Sequence, residues 1–255
     1  MGTPLIATEY LNSLINNKIK IETVLTQPPR KQSRGMKLIK SPVHLLANKK
    51  NIPVLHPEKI DHNIINKLKK FHPDLIIVMA YGKILPKELL ELPQKGCINI
   101  HVSFLPRWRG AAPIEHALMN GDKETGISII KMVEKLDAGP IIVQKKCNIP
   151  NNLDKNELIK NLNEIGTKLL IDVIPKILND QIRLIDQNET NVTYANKITP
   201  EDRKINFNKP ASKIINLIRA FSPKPGAWFK LNNERIKIFE AKQGTSRGKV
   251  STIIN

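Results

Sequence analysis

Residues 97–113 read CINIHVSFLPRWRGAAP, and Asp137 follows inside EKLDAGPII. The apolar run around Asn99 and His101 predicts a strand, and on a strand positions i and i+2 leave the same face. The strand then breaks into a loop rich in Pro, Arg and Gly. An amide donor, an imidazole and a carboxylate near loop ends suit one kind of chemistry: stabilising a developing anion while moving a proton. Each residue alone has a plainer explanation. A lone histidine is more often structural, an Asp before Ala-Gly is a common turn residue, and an Asn at a strand end satisfies backbone groups. The combination is more specific than its parts.

The elements that must position these groups alternate along the chain. Leu11, Leu14 and Ile15 give residues 5–17 helical spacing. IETVLT (21–26) predicts a strand, and 27–40 a polar, basic loop. Ser41 caps a helix with Pro42 at its first position, and 59–71 repeats the helical pattern. DLIIVMAY (74–81) and CINIH are apolar runs typical of strands covered on both faces. LPKELLEL and 113–120 predict short helices; 126–134 and 140–149 predict strands with Asp137 between them. Residues 154–180 predict a long helix with capping-box spacing at Asp154 and Glu157 and an apolar stripe of Leu158, Leu162, Ile165 and Leu169, kinked at Pro175. Strands alternating with helices argue for an α/β fold with a mostly parallel, Rossmann-like sheet, and such sheets bind ligands beyond the carboxyl ends of their strands. After Ile182 the texture turns polar. We expect a first domain over 1–182, a linker over 183–198 and a second domain over 199–255. The last holds an amphipathic helix (KPASKIINLIRAF) and a hairpin turning at Asn232-Asn233.

Composition bounds the function. The chain of 255 residues is 40% hydrophobic, enough for a core. No run approaches the ~20 apolar residues of a membrane span, and no basic-then-apolar leader opens it, so a cytoplasmic location is expected. Cys97 and Cys147 lie in strand-like runs and read as buried thiols. The net charge of +18 and pI of about 9.9 point to a polyanionic partner; a genome rich in A and T, favouring Lys, Asn and Ile, would also raise the charge. Local clustering says more. No acidic residue stands between Glu22 and Glu58, and Arg30, Lys31, Arg34, Lys37 and Lys40 crowd one segment. A charge run is usually a solvated face, but this one belongs to the sheet's ligand-binding side. Trp108 serves either to stack on a base or to fill a core.

The order Asn-x-His, SFLPRWRGAAPI, LDAGPI resembles the formyltransferases that use 10-formyltetrahydrofolate. The longer wording, with AYGKILP before the histidine and VTYANKI and IRAFSPKPGAW after it, is similar to the branch of that family acting on methionyl-tRNA. The resemblance implies Asn99, His101 and Asp137 as catalytic residues, with Asn99 and His101 on the formyl oxygen and Asp137 behind the histidine. It implies a folate pocket walled by Ser103, Phe104, Leu105 and Pro106 and by Met79, Tyr81, Gly82, Ile84 and Leu85. Phe104 departs from the family's usual Leu. It implies that the basic segment meets initiator tRNA, with Arg34 matching an important arginine. It further implies a monomeric enzyme needing no metal. The same three residues would serve a formyltransferase of a small amine such as glycinamide ribonucleotide or an amino sugar, since a fold does not fix its acceptor. A non-catalytic RNA-binding remnant is the third reading.

Two departures from the family stand out. The chain starts at Met1-Gly2-Thr3-Pro4, where the family places a β-strand first. An interior strand missing there is expected to leave edges and apolar surface exposed, and a start codon assigned at an internal Met would explain it. The family's tail is an OB-like barrel of about five strands, and residues 206–255 supply two or three.

Overall fold

The computed structural model describes residues 1–32 and 37–244. The sheet is built from its parallel half outward. β1 (Val24–Leu25) pairs in parallel with β4 (Val54–Leu55). β5 (Ile76–Val78) pairs in parallel with β6 (Cys97–His101). Met1 and Gly2 join the two pairs. Gly2 N–H donates to Leu25 O at 3.0 Å, and Met79 N–H donates to Met1 O at 2.9 Å. β8 (Glu124–Lys131) and β9 (Ile141–Asn148) complete the sheet antiparallel beyond β6. The fold is therefore α/β with a parallel-rich sheet, as the alternation of elements predicts.

Helices cover the faces. α1 (Leu5–Asn16) buries Tyr10, Leu11 and Leu14 against α6 (Lys155–Leu178), which buries Leu158, Leu162 and Leu170. The expected capping box is present: Asp154 accepts from Glu157 N–H, and Glu157 accepts from Asp154 N–H, each at 2.9 Å. Helix α6 runs on through Pro175. α2 (Pro42–Lys49) starts at Ser41, whose hydroxyl accepts from His44 N–H at 3.0 Å. α3 (His62–Lys69) starts later than its periodicity suggests because Asp61 caps it. α4 (Lys87–Leu90) and α5 (Pro113–Asn120) are short. The main core gathers Ile98, Ile100, Ile127 and Ile129 of the sheet with residues of α1, α5 and α6. Cys97 and Cys147 are buried and unpaired, and burial pushes the Cys97 thiol up to about 12.

One expected loop is not a loop. Residues 27–40 contain an antiparallel hairpin, β2 (Arg30–Gln32) with β3 (Lys37–Ile39), pairing Lys31 with Leu38. Lys37, Leu38 and Ile39 are all exposed, so neither face is buried and no alternation marks the hairpin in the sequence. Arg34 lies outside the described residues.

The stretch expected as a linker is anchored. β7 (Arg109–Gly110) pairs in parallel with β10 (Tyr194–Ala195), and Ile185 bridges Ile141. Gly110 is needed here: its φ is +119°, and a Cβ would stand 2.7 Å from Ala195 O. Beyond it, α7 (Ala211–Phe221) packs on α5 and α6. β11 (Ala227–Leu231) and β12 (Glu234–Ile238) form the expected hairpin, with Asn232 and Asn233 at φ +48° and +66°. The final residues, 245–255, lie outside the described residues.

Candidate active site

Strand β6 delivers Asn99 and His101 on one face, and the loop between β8 and β9 brings Asp137 to them. Asn99 Nδ2 donates to Asp137 Oδ1 at 3.1 Å. Gly110 N–H donates to Asp137 Oδ2 at 2.8 Å. His101 Nδ1 lies 3.6 Å from the same Oδ2. His101 is 5% exposed, and its Nε2 meets the Trp108 carbonyl at 2.8 Å. A carbonyl only accepts, so Nε2 carries the proton and Nδ1 is the ring atom left for chemistry. The histidine is therefore held from behind by Trp108, and Asp137 stands beside its reactive nitrogen rather than behind the ring.

Strained backbone builds this geometry. Trp108 has φ +64° and Asp137 φ +48°, in the left-handed region that non-glycine residues enter at a cost. The Trp108 side chain is core. It is 8% exposed, its indole N–H donates to Asp122 Oδ2 at 2.7 Å, and the Arg107 guanidinium lies 4.3 Å from the ring centre. Base stacking by Trp108 is thereby set aside.

The segment 103–106 is tied into the sheet. Ser128 Oγ donates to Ser103 O at 2.7 Å and accepts from Leu105 N–H at 3.0 Å; Gln144 Nε2 donates to Leu105 O at 2.9 Å. Ser103 and Leu105 are buried, so Phe104 and Pro106, both half-buried, are the side chains with accessible surface. In the other expected wall, Met79, Tyr81 and Leu85 are buried and Gly82 is exposed. Ile84 is 91% exposed. Exposed Val133 and Leu136 stand on the loop that carries Asp137. Burial pushes the Tyr81 phenol up to about 12.

Of the basic residues, Arg30, Lys31, Lys37 and Lys40 are exposed on or beside the hairpin. Arg30 Nη2 donates to Gln27 Oε1 at 2.5 Å, and Gln27 Nε2 donates to Tyr81 O at 2.9 Å, which ties the hairpin's base to the loop after β5. Sequence reasoning missed the groups behind Asp137. Arg109 is wholly buried and Gln187 nearly so. Arg109 was visible only as a basic residue in a loop, and Gln187 sat in a stretch that reads as polar linker.

A sequence profile described as formyl transferase matches residues 1–174, and a second, the formyl transferase C-terminal domain, matches 197–255. The chain belongs to the formyl transferase family. Among curated formyl transferases, a methionyl-tRNA formyltransferase of Buchnera aphidicola subsp. Schizaphis graminum is 44% identical over 94% of this chain and 77% of its own length. One of Pelagibacter ubique is 40% identical over 100% of this chain and 83% of its own. Among solved structures, an N-formyltransferase from Helicobacter canadensis, in complex with folinic acid and dTDP-3-aminofucose, shares 25% identity at a TM-score of 0.69, covering 92% of this chain and 84% of its own. A sugar 3N-formyl transferase shares the fold at a TM-score of 0.71 and 22% identity, covering 96% and 85%.

Proposed function

We propose that the chain transfers the formyl group of 10-formyltetrahydrofolate to the α-amine of initiator methionyl-tRNA in the cytoplasm. One observation carries the chemistry: Asn99 and His101 each reach Asp137, at 3.1 and 3.6 Å, with the histidine tautomer set by a buried carbonyl. Identities of 40–44% to enzymes named for that acceptor favour methionyl-tRNA over a small amine. The basic hairpin gives a polyanion somewhere to rest. In this reading 1–182 is the catalytic region, 183–198 connects it to the tail, and 199–255 helps hold the RNA.

The folate supplies a formyl carbon at the oxidation level of formate on a nitrogen that must leave with a proton. Exposed Ile84, on a wall the resemblance implies, and exposed Val133 and Leu136, on the loop that carries Asp137, suit a flat ring. Asn99 gives one amide hydrogen to Asp137 and keeps the other for the formyl oxygen as negative charge develops there. Asp137 is placed to take a proton from the attacking amine, and His101 Nδ1 to pass one on. The new C–N bond forms as the old one breaks, and one proton moves in net from amine to leaving nitrogen.

The test is transfer of labelled formyl from 10-formyltetrahydrofolate to three acceptors: charged initiator tRNA, a dTDP-amino sugar and glycinamide ribonucleotide. Label on the tRNA is expected. Label on a small amine alone, or no transfer at all, would overturn the acceptor or the enzymatic reading respectively.

A further inference from the structure

Behind Asp137 lies a buried polar chain that no part of the catalytic reading uses. Arg109 has 0% exposure, yet its guanidinium donates from Nε to Gln187 Oε1 at 3.0 Å and from Nη2 to Glu189 Oε1 at 2.7 Å. Gln187 is 9% exposed and turns its amide nitrogen the other way. That one NH₂ donates to the carbonyls of Asp137 and Gly139, each at 2.8 Å. Both hydrogens of the amide are thus spent on the two ends of the turn that holds Asp137 at φ +48°. A Cβ on Gly139 would lie 1.7 Å from Lys131 O, so the turn has no slack on its far side. The segment carrying Gln187 is fixed in turn by Ile185, exchanging hydrogen bonds of 2.7 and 2.9 Å with Ile141, and by Thr193 O, which accepts from Arg109 N–H at 2.9 Å.

We propose that Gln187, oriented by the buried Arg109, is a positioning residue for Asp137, and that the segment 185–195 is a strap making the catalytic carboxylate depend on the chain leading to the tail. The proposal rests on the formyl transfer read above. A buried guanidinium and a fully used carboxamide are costly unless every donor is met. Here Gln187 and Glu189 meet the guanidinium, and the carboxamide that Arg109 orients spends both hydrogens on the loop that aims one carboxylate. An apolar pair would fill the same space but could not bind the two carbonyl oxygens that Gln187 faces. Arg109 also makes the orientation of the amide unambiguous, because only Oε1 can accept from a guanidinium.

The experiment compares Gln187→Glu and Gln187→Met with wild type, alone and combined with Asp137→Asn. Gln187→Glu keeps an acceptor for Arg109 but sets a carboxylate against two carbonyls. Gln187→Met keeps volume and loses both functions. Each is expected to lower kcat roughly 10–100-fold, the scale of a small misplacement of a catalytic group. KM for both substrates should stay within about twofold, as expected when ground-state binding is untouched. In the Asp137→Asn background the same changes should cost almost nothing further, since no carboxylate remains to aim. A second readout needs no turnover: the Gly110 amide resonance, set by its bond to Asp137 Oδ2, should move upfield in Gln187→Glu. Unchanged kcat with an unmoved Gly110 amide overturns the proposal, as does an undiminished loss in the Asp137→Asn background. A wild type without formyl transfer overturns the functional reading instead, while the Gly110 resonance still decides the positioning.

Discussion

Asp137 holds three neighbours with two oxygens: Asn99 Nδ2 on Oδ1, Gly110 N–H on Oδ2, and His101 Nδ1 3.6 Å from Oδ2. An asparagine there keeps the shape but offers one acceptor, and its NH₂ must face either the Asn99 amide or the Gly110 N–H. Asp137→Asn is therefore expected to lower kcat by roughly 10²–10⁴-fold, the range for losing a positioned acid–base group, with melting temperature little changed; a kcat within tenfold of wild type would remove Asp137 from the chemistry. That Asn99 and His101 share a face was legible from spacing, because i and i+2 on a strand must; Asp137 was joined to them only by the family resemblance. Their division of labour was not. Which group stands behind His101 depends on the Trp108 carbonyl, and that orientation comes from a left-handed φ on a tryptophan, which no residue type announces.

Elements with local signals were legible, and those defined by distant partners were not. The Asp154 and Glu157 cap and the Asn232-Asn233 turn are written in a few adjacent residues and appear as expected. The 183–198 segment reads as linker because its polarity is visible and its buried partners, Arg109 and the Asp137 turn, are more than 40 residues upstream. The α1–α6 contact is similar. A Cβ on Gly166 would lie 2.1 Å from Tyr10 Oη and 3.0 Å from Cζ, and Tyr10 Oη is buried with no hydrogen-bond partner among the described residues. Gly166→Ala is expected to destabilise by about 1–3 kcal/mol through overpacking, despite the helical preference for alanine. Tyr10→Phe removes the nearest atom and an unsatisfied hydroxyl, so the double variant should recover part of that loss in urea titrations; strict additivity would show the two sites are uncoupled. On the exposed β2–β3 hairpin, Lys31→Gln with Lys37→Gln should weaken tRNA binding and leave kcat intact. The salt dependence of binding should flatten by up to about 0.9 for each phosphate that a lysine no longer neutralises. An unchanged salt slope would move the RNA elsewhere.

At the scale of the whole molecule, the sheet depends on its first two residues. The sequence suggests bare edges where β1 and β5 face each other; instead Met1 and Gly2 bridge them at one end. A cavity of about 250 Å³ lies alongside, lined by residues including Leu14, Val24, Leu68, Ile76 and Ile174. The junction has no room for a side chain: a Cβ on Gly2 would stand 2.8 Å from Ala7 Cβ and 2.9 Å from Met79 O. Ala7 belongs to α1 and Met79 follows β5, so Gly2→Ala must push the helix off the sheet or part Gly2 from the strand it bridges. It is expected to destabilise by about 1–3 kcal/mol through overpacking, read as a lower urea midpoint at an unchanged slope. An unchanged midpoint would mean that the bridge through Met1 and Gly2 does not constrain the sheet.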